Sequence, residues 1–127
     1  MFRTILVLAI LTVSLNSTAL AIEKFDSTIE ARNNLGSQAT YRFTLEIDQF
    51  QPGNLTGEIK SWNSKPCGSA RKITGELKAN GDVRFATEES AVKGCGALIF
   101  SGKKESDSVI VGKMRFQGEQ HEFTFKK

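Results

Sequence analysis

The chain has few of the residues that catalysis and metal binding usually require. Its 127 residues include one histidine, two cysteines, one tryptophan and one tyrosine. A histidine-dependent hydrolase or metal site would have to use His121, the single histidine. The sequence contains no Gly-x-Ser-x-Gly elbow, no Walker loop and no H-E-x-x-H motif. It therefore predicts a protein that is not an enzyme and carries no cofactor and no metal.

A strong charge of one sign is also lacking, since 17 basic residues stand against 14 acidic ones. Basic and acidic residues alternate along the predicted strands instead of forming a continuous basic track, which a nucleic-acid surface needs. The basic segment 102–106 has no glycine spacing of a phosphate loop. We therefore expect no nucleic-acid partner.

Long hydrophobic runs are confined to residues 1–21, which have the pattern of a secretory signal peptide. Arg3 supplies the positive start, residues 5–15 are an apolar stretch, and residues 19–21 form a small-residue cleavage box. The run is interrupted at Asn16 before it reaches the ~20 apolar residues of a membrane span. We expect export to the periplasm or the extracellular space, with no membrane span after cleavage.

The two cysteines, Cys67 and Cys95, fit an exported protein with a single disulfide. This bond would close a loop of about 29 residues, for which the chain-entropy model gives roughly 3.5 kcal/mol. A metal site is the alternative. It would have at most three ligands, the two cysteines and His121, without C-x-x-C spacing.

Alternating hydrophobicity predicts an all-β domain over residues 39–127. In residues 41–48 every odd position is apolar and every even position polar, as in a half-buried strand. Further strands are predicted at 55–62, 70–79, 82–87, 97–101, 108–117 and 120–126. We expect an antiparallel meander of seven to eight strands that closes into a small barrel, with a two-sheet sandwich as the alternative.

The segment 22–38 is interpreted as a leader with two possible structures. Ser27 and Glu30 fit a capping box, and Gly36 suits a helix end, which together predict a short N-terminal helix. A first strand is the alternative, because adjacent asparagines at 33 and 34 are unfavourable inside a helix.

A six-residue pattern with a central glycine occurs at 55–60, 73–78 and 110–115. Its glycines, Gly57, Gly75 and Gly112, fall on the inward phase of their strands. Missing side chains at such positions allow tight coiling or the close approach of another element. The pattern therefore indicates one strand environment that is used three times.

Two hairpins have predictable registers. A three-residue loop with a left-handed Gly81 would place Leu77 opposite Val83, so that both face the core. For the last hairpin, a two-residue loop of Gly118 and Glu119 would pair Phe116 with His121. The same register would pair Met114 with Phe123 and Arg115 with Glu122.

The combination of a signal peptide, a short leader and a strand meander with inward glycines resembles small exported calycin-type barrels, the lipocalin and avidin group. The resemblance covers residues 39–127 and implies a barrel fold. The lipocalin Gly-x-Trp is missing from the strand that opens at Tyr41, and Trp62 lies at a strand end. No ligand-binding residue is therefore carried over from that group.

Trp62 is the main candidate for contact with a partner, because it falls on the polar phase of its strand, and packing of its ring over the disulfide is the alternative. Lys60 and Lys65 flank it. We expect a non-enzymatic binding module that contacts a protein or a component of the cell envelope, for example as an inhibitor of a secreted or cell-wall enzyme. The alternative is a carrier of a small apolar ligand inside the barrel, lined by Tyr41, Phe116, His121 and Phe123.

Overall fold

The computed structural model describes residues 22–33, 35–62, 70–88, 96–116 and 118–127. The regular structure in these ranges is entirely β-strand. Each strand pairs antiparallel with the next, and the last pairs with the first, so the sheet is a closed barrel. This confirms the predicted all-β barrel and not the two-sheet sandwich. The strands are β1 (Glu23–Arg32), β2 (Gln38–Ile47), β3 (Gly53–Trp62), β4 (Arg71–Leu77), β5 (Asp82–Thr87), β6 (Ile99–Ser106), β7 (Val109–Phe116) and β8 (Glu119–Lys126).

The N-terminal segment forms a strand, so the expectation of a short helix there is wrong. β1 pairs with β2 along its whole length, with Ile29 opposite Tyr41. Its buried residues, Phe25, Ser27, Ile29 and Ala31, recur at every second position. A period of two buries one face of a strand, whereas a helix would spread these residues around its circumference. β1 is therefore one of the eight strands of the barrel wall.

The barrel interior is packed with aromatic rings. Phe43 contacts the rings of Phe116 and Phe123 edge-on, with both centroid distances at 5.0 Å. Phe85 and Phe100 stack at 4.8 Å. Such rings fill a small eight-stranded barrel, which has room for little besides its own side chains. The described strands therefore enclose a core of contacting rings.

The two ends of the barrel differ. At one end, which we call the terminal end, lie residues 22 and 127 and three short connections. At the opposite end β3 ends and β4 begins, and β5 ends and β6 begins; in the sequence the segments 63–70 and 88–98 join these strands. We call this the long-loop end. Cys67 and Cys95 belong to these two segments and lie outside the described residues.

The register of the β4–β5 hairpin is confirmed. Leu77 lies opposite Val83, and Glu76 lies opposite Arg84 on the outer face. Gly81 has a φ of +98°, and its amide donates to the carbonyl oxygen of Lys78 at 2.9 Å. The left-handed glycine thus provides the extra residue that keeps both apolar side chains on one face.

The predicted register of the β7–β8 hairpin is wrong by two residues. Phe116 lies opposite Glu119 and Met114 opposite His121, instead of Phe116 opposite His121. The expected Met114–Phe123 and Arg115–Glu122 pairs are absent, since Arg115 lies opposite Gln120. A shift of two residues keeps every side chain on the same face, so the hydrophobic pattern cannot distinguish the two registers. The turn decides between them, with Gly118 at a φ of +78°.

The inward glycines lie where neighbouring strands approach closely. A Cβ atom on Gly57 would collide with the carbonyl oxygen of Glu46 on β2, and one on Gly75 would lie 2.6 Å from the Cα of Phe85. Real Cβ atoms do not approach so closely. The prediction that these glycines permit tight coiling is confirmed.

Candidate functional site

The described outer wall has one large aromatic side chain, Trp62, at the long-loop end of β3. Alternation along β3 buries Leu55, Ile59 and Ser61 and turns Trp62 outward. The side chain is 40% exposed, which is high for a residue of this size. Its position follows from strand parity, as predicted.

The indole ring is held in place by a hydrogen-bonded chain on the barrel wall. Trp62 Nε1 donates to Thr44 Oγ1 at 3.0 Å, and Thr44 Oγ1 donates to Asp26 Oδ1 at 3.1 Å. Thr44 is buried beneath the ring. The polar atom of the indole is therefore satisfied within the protein, and the exposed part of Trp62 is carbon surface.

Two cations lie against the ring. Lys60 Nζ is 3.7 Å from the ring centroid, and Arg42 Cζ is 5.6 Å from it. Both distances fall in the range of cation–π attraction. Arg42 is also paired with Asp26, with 3.1 Å between Nη2 and Oδ1. The ring, the two cations and the carboxylate form one connected cluster.

Beside Trp62 the wall has a groove of about 170 Å³, which we call, together with the ring, the Trp62 surface. Charged side chains of both signs line it. Lys24 and Glu46 form an ion pair across it, with 3.7 Å between Nζ and Oε2. The other lining residues are Arg42, Thr44, Glu58, Lys60, Trp62 and Ala70. An aromatic ring rimmed by charges suits contact with a polar macromolecular surface.

The structure brings together two of the three residues predicted to contact a partner. Lys60 and Trp62 are adjacent on the wall, whereas Lys65 lies outside the described residues. Arg42 and Lys24 were missed by the sequence reasoning. Arg42 lies opposite Trp62 in the β2–β3 register, so it could have been found only once that register was known.

The four residues proposed to line an interior ligand site all face inward near the long-loop end. Tyr41 packs edge-on against Phe116 at 4.9 Å, and Phe43 packs against both Phe116 and Phe123. The rings therefore contact one another around this position. The side chain of His121 is 16% exposed, and its Nε2 lies 3.9 Å from Glu119 Oε1.

Arg71 is a further inward polar residue that the sequence reasoning missed. It is buried at the start of β4, and its Nη1 donates to the carbonyl oxygen of Gly96 at 2.8 Å. Burial lowers the pKa of its guanidinium. The negative charge of Glu88 acts in the opposite direction and offsets part of this lowering. Arg71 lies two residues before the inward Ile73, so strand alternation could have predicted that its side chain also points inward. It ties the start of β4 to the residue after Cys95.

The described residues contain no group of three or more histidine, cysteine or acidic side chains able to hold a metal ion. In the same part of the chain, no helix is long and apolar enough to cross a membrane. Comparison of the chain with protein-family models, with curated proteins and with solved structures finds no match. The barrel has the architecture that the calycin resemblance implies, and it is the architecture alone that the structure shows.

Proposed function

We propose that the protein is an exported, non-enzymatic binding module that contacts a protein or a component of the cell envelope through the Trp62 surface. The observation that carries this proposal is an indole that is both exposed and fixed. A fixed aromatic ring loses little conformational entropy on binding and buries a large apolar area. A disordered surface tryptophan would lack the first of these advantages.

The charges around the ring support a macromolecular partner. Arg42 and Lys60 lie against the ring, while Glu46 and Glu58 line the groove beside it. Charged rims contribute to partner choice and to association rate more than to affinity. Inhibition of a secreted or cell-wall enzyme is one concrete form of such an interaction.

Export and a Cys67–Cys95 disulfide belong to the same proposal. The strands that flank the two cysteine-bearing segments, β3 and β4 for one and β5 and β6 for the other, meet these segments at the long-loop end. Arg71 and Gly96 are joined by a hydrogen bond. In the sequence Gly96 directly follows Cys95, and Arg71 comes four residues after Cys67. Four residues of extended chain reach about 14 Å, which is ample for a disulfide between Cα atoms some 5.5 Å apart.

The carrier alternative receives less support, because the described interior is occupied by contacting rings. A ligand pocket normally combines open volume with several convergent polar groups. Membership of the calycin group is likewise a proposal that rests on the shared architecture.

The test compares three immobilised proteins in binding to an envelope fraction from the source cells: wild type, Trp62→Ala and Ile99→Ala. Ile99 is the matched control, because it is a large exposed apolar side chain on β6. We expect one retained component to be reduced by roughly tenfold or more with Trp62→Ala and unchanged with Ile99→Ala. Calorimetry with the purified component then measures the affinity loss.

Equal loss in both variants would show nonspecific apolar adhesion and would overturn the proposal. If both variants retained the component as well as the wild type does, the contact would lie elsewhere on the barrel and the proposed role of Trp62 would be wrong. Circular dichroism and the unfolding midpoint of each variant show that the fold is intact in the comparison.

A further inference from the structure

The barrel is closed unequally around its circumference. β1 is registered with β2 over its whole length, and β8 is registered with β7 over its whole length. Between β1 and β8, by contrast, the register contains a single pair, Asp26 opposite Lys126, at the terminal end. Towards the long-loop end the two strands continue without a registered partner. We call residues 28–32 of β1 and 120–124 of β8 the upper seam.

Along the upper seam β1 and β8 lie side by side in the closed barrel but share no registered pair. A strand inside a sheet directs its N–H and C=O groups to both neighbours in alternation. β1 uses one side for β2, and β8 uses one side for β7. The groups on their other sides have no registered strand along the upper seam. Such edges bind further strands through main-chain hydrogen bonds.

Charge on the outer side of the upper seam disfavours direct closure. Extending the register of the Asp26–Lys126 pair along both strands would place Glu30 opposite Glu122, and like charges in that arrangement destabilise strand pairing. Both residues are exposed. Neither carboxylate has an ion-pair or hydrogen-bond partner among the described residues, although Lys113 lies opposite Glu122 on β7. A basic side chain between the two carboxylates would pair with both and reduce their mutual repulsion.

On the inner side, the same extended register would place His121 opposite Ala31. The Nε2 atom of His121 is buried and has no hydrogen-bond partner within the described part of the chain. Buried polar atoms are normally paired, and an unpaired one destabilises the fold. A polar group from an added strand would give this atom a partner.

We propose that the upper seam is a second binding surface, which takes up an extended segment of a partner protein by strand addition. The segment carries a lysine or arginine that lies between Glu30 and Glu122, and apolar residues at alternate positions that continue the core. Its insertion requires the two strands to separate to about 10 Å, twice the usual spacing, with the Asp26–Lys126 pair as the closed end. This surface adjoins the Trp62 cluster, since Thr28 lies opposite Arg42, but it has its own contacts and does not depend on the proposed function.

The experiment uses synthetic peptides of about nine residues, the length of the neighbouring strands. The probe alternates valine and threonine around a central lysine. One matched peptide has glutamate at the centre, and another has alternate backbone amides N-methylated. Each is titrated into isotope-labelled protein while backbone amide shifts are followed. We expect the lysine peptide to shift residues 28–32 and 120–124 saturably, and the glutamate peptide to bind roughly tenfold more weakly.

Variants separate the causes. Glu30→Gln combined with Glu122→Gln should remove most of the preference for lysine over glutamate, while Trp62→Ala should leave the titration unchanged. The N-methylated peptide should not bind. Absence of shifts along the upper seam, or equal binding of the N-methylated peptide, would overturn strand addition. Loss of peptide binding in Trp62→Ala alone would show that the peptide binds the Trp62 surface instead.

Discussion

At the scale of single residues, the main feature is the way in which polar contacts fix an exposed ring. Thr44 accepts from the Trp62 indole and donates to Asp26, so one buried hydroxyl links two outward side chains. Arg42 adds a second contact to the same carboxylate. The exposed carbon surface of Trp62 is thus held by groups whose own hydrogen bonds are satisfied.

Gly81 provides a prediction at this scale. Its φ of +98° lies in the left-handed region, and a Cβ there would come within 3.3 Å of the carbonyl oxygen of Lys104. Gly81→Val should lower the free energy of unfolding by about 1 kcal/mol or more, because β-branched residues disfavour positive φ. Gly81→Asn should cost less, since asparagine tolerates this conformation better. Denaturant unfolding measures both variants, and equal losses would contradict the left-handed requirement.

At the scale of elements, turns decide registers that strand patterns leave open. The β4–β5 hairpin agrees with the sequence because only the bulged loop puts Leu77 and Val83 on one face. The β7–β8 hairpin offered two registers with identical faces, and the chain adopts the one in which Arg115 Nη2 donates to the carbonyl oxygen of Gly118 at 3.0 Å. The alternation of apolar and polar residues therefore determines which face of the sheet each side chain lies on. The turn determines which residues of the two strands are paired.

The β6–β7 turn provides a pH-dependent prediction. Lys104 Nζ lies 3.0 Å from Asp107 Oδ1, and this hydrogen bond, followed by the charge of Lys104, holds the pKa of Asp107 below its usual value of 3.8. A carboxyl whose folded pKa is lowered stabilises the fold above its unfolded pKa and loses that contribution as the pH falls through the folded value. Lys104→Met should therefore raise the pKa of Asp107, as measured by NMR titration of the carboxyl carbon.

Lys103→Met is the matched control for this titration. Lys103 is the neighbouring residue and pairs with Asp82, with 3.5 Å between Nζ and Oδ1. The pKa of Asp107 should stay unchanged in this variant. A similar rise in both variants would show that general charge removal, and not the Lys104 hydrogen bond, is responsible.

At the scale of the whole molecule, stability comes from a ring-packed interior in a closed sheet. Phe116 belongs to this interior, in edge-on contact with Tyr41 and Phe43. Phe116→Ala should reduce the free energy of unfolding by ~3–5 kcal/mol and leave a cavity. That cavity should bind a small apolar guest such as benzene, whereas the unmodified protein should not. Ile99→Ala, at an exposed position, should change neither property, and guest binding by wild type would favour the carrier alternative.

The proposed disulfide also acts at this scale, since it would link the two long connections at one end of the barrel. Cys67→Ser combined with Cys95→Ser should lower the unfolding midpoint of the oxidised protein, with a loss of roughly 3.5 kcal/mol in the chain-entropy model. Reduced wild type is the control and should unfold like the variant. Detection of two free thiols in oxidised, folded wild type would contradict the bond.

The sequence by itself determined the class of fold and, in the strands with clear alternation, the direction in which the side chains point. Alternation in 41–48 predicted β2, and the parity of Trp62 predicted its exposure, because both depend on a local period of two. The inward glycines were predicted for the same reason. Only the tertiary structure decided which distant strands meet. The contact of Arg42 with Trp62, the hydrogen bond of Arg71 to Gly96 and the incomplete β1–β8 register all depend on how remote segments meet. Those registers are set by packing of the closed core, which no local pattern encodes.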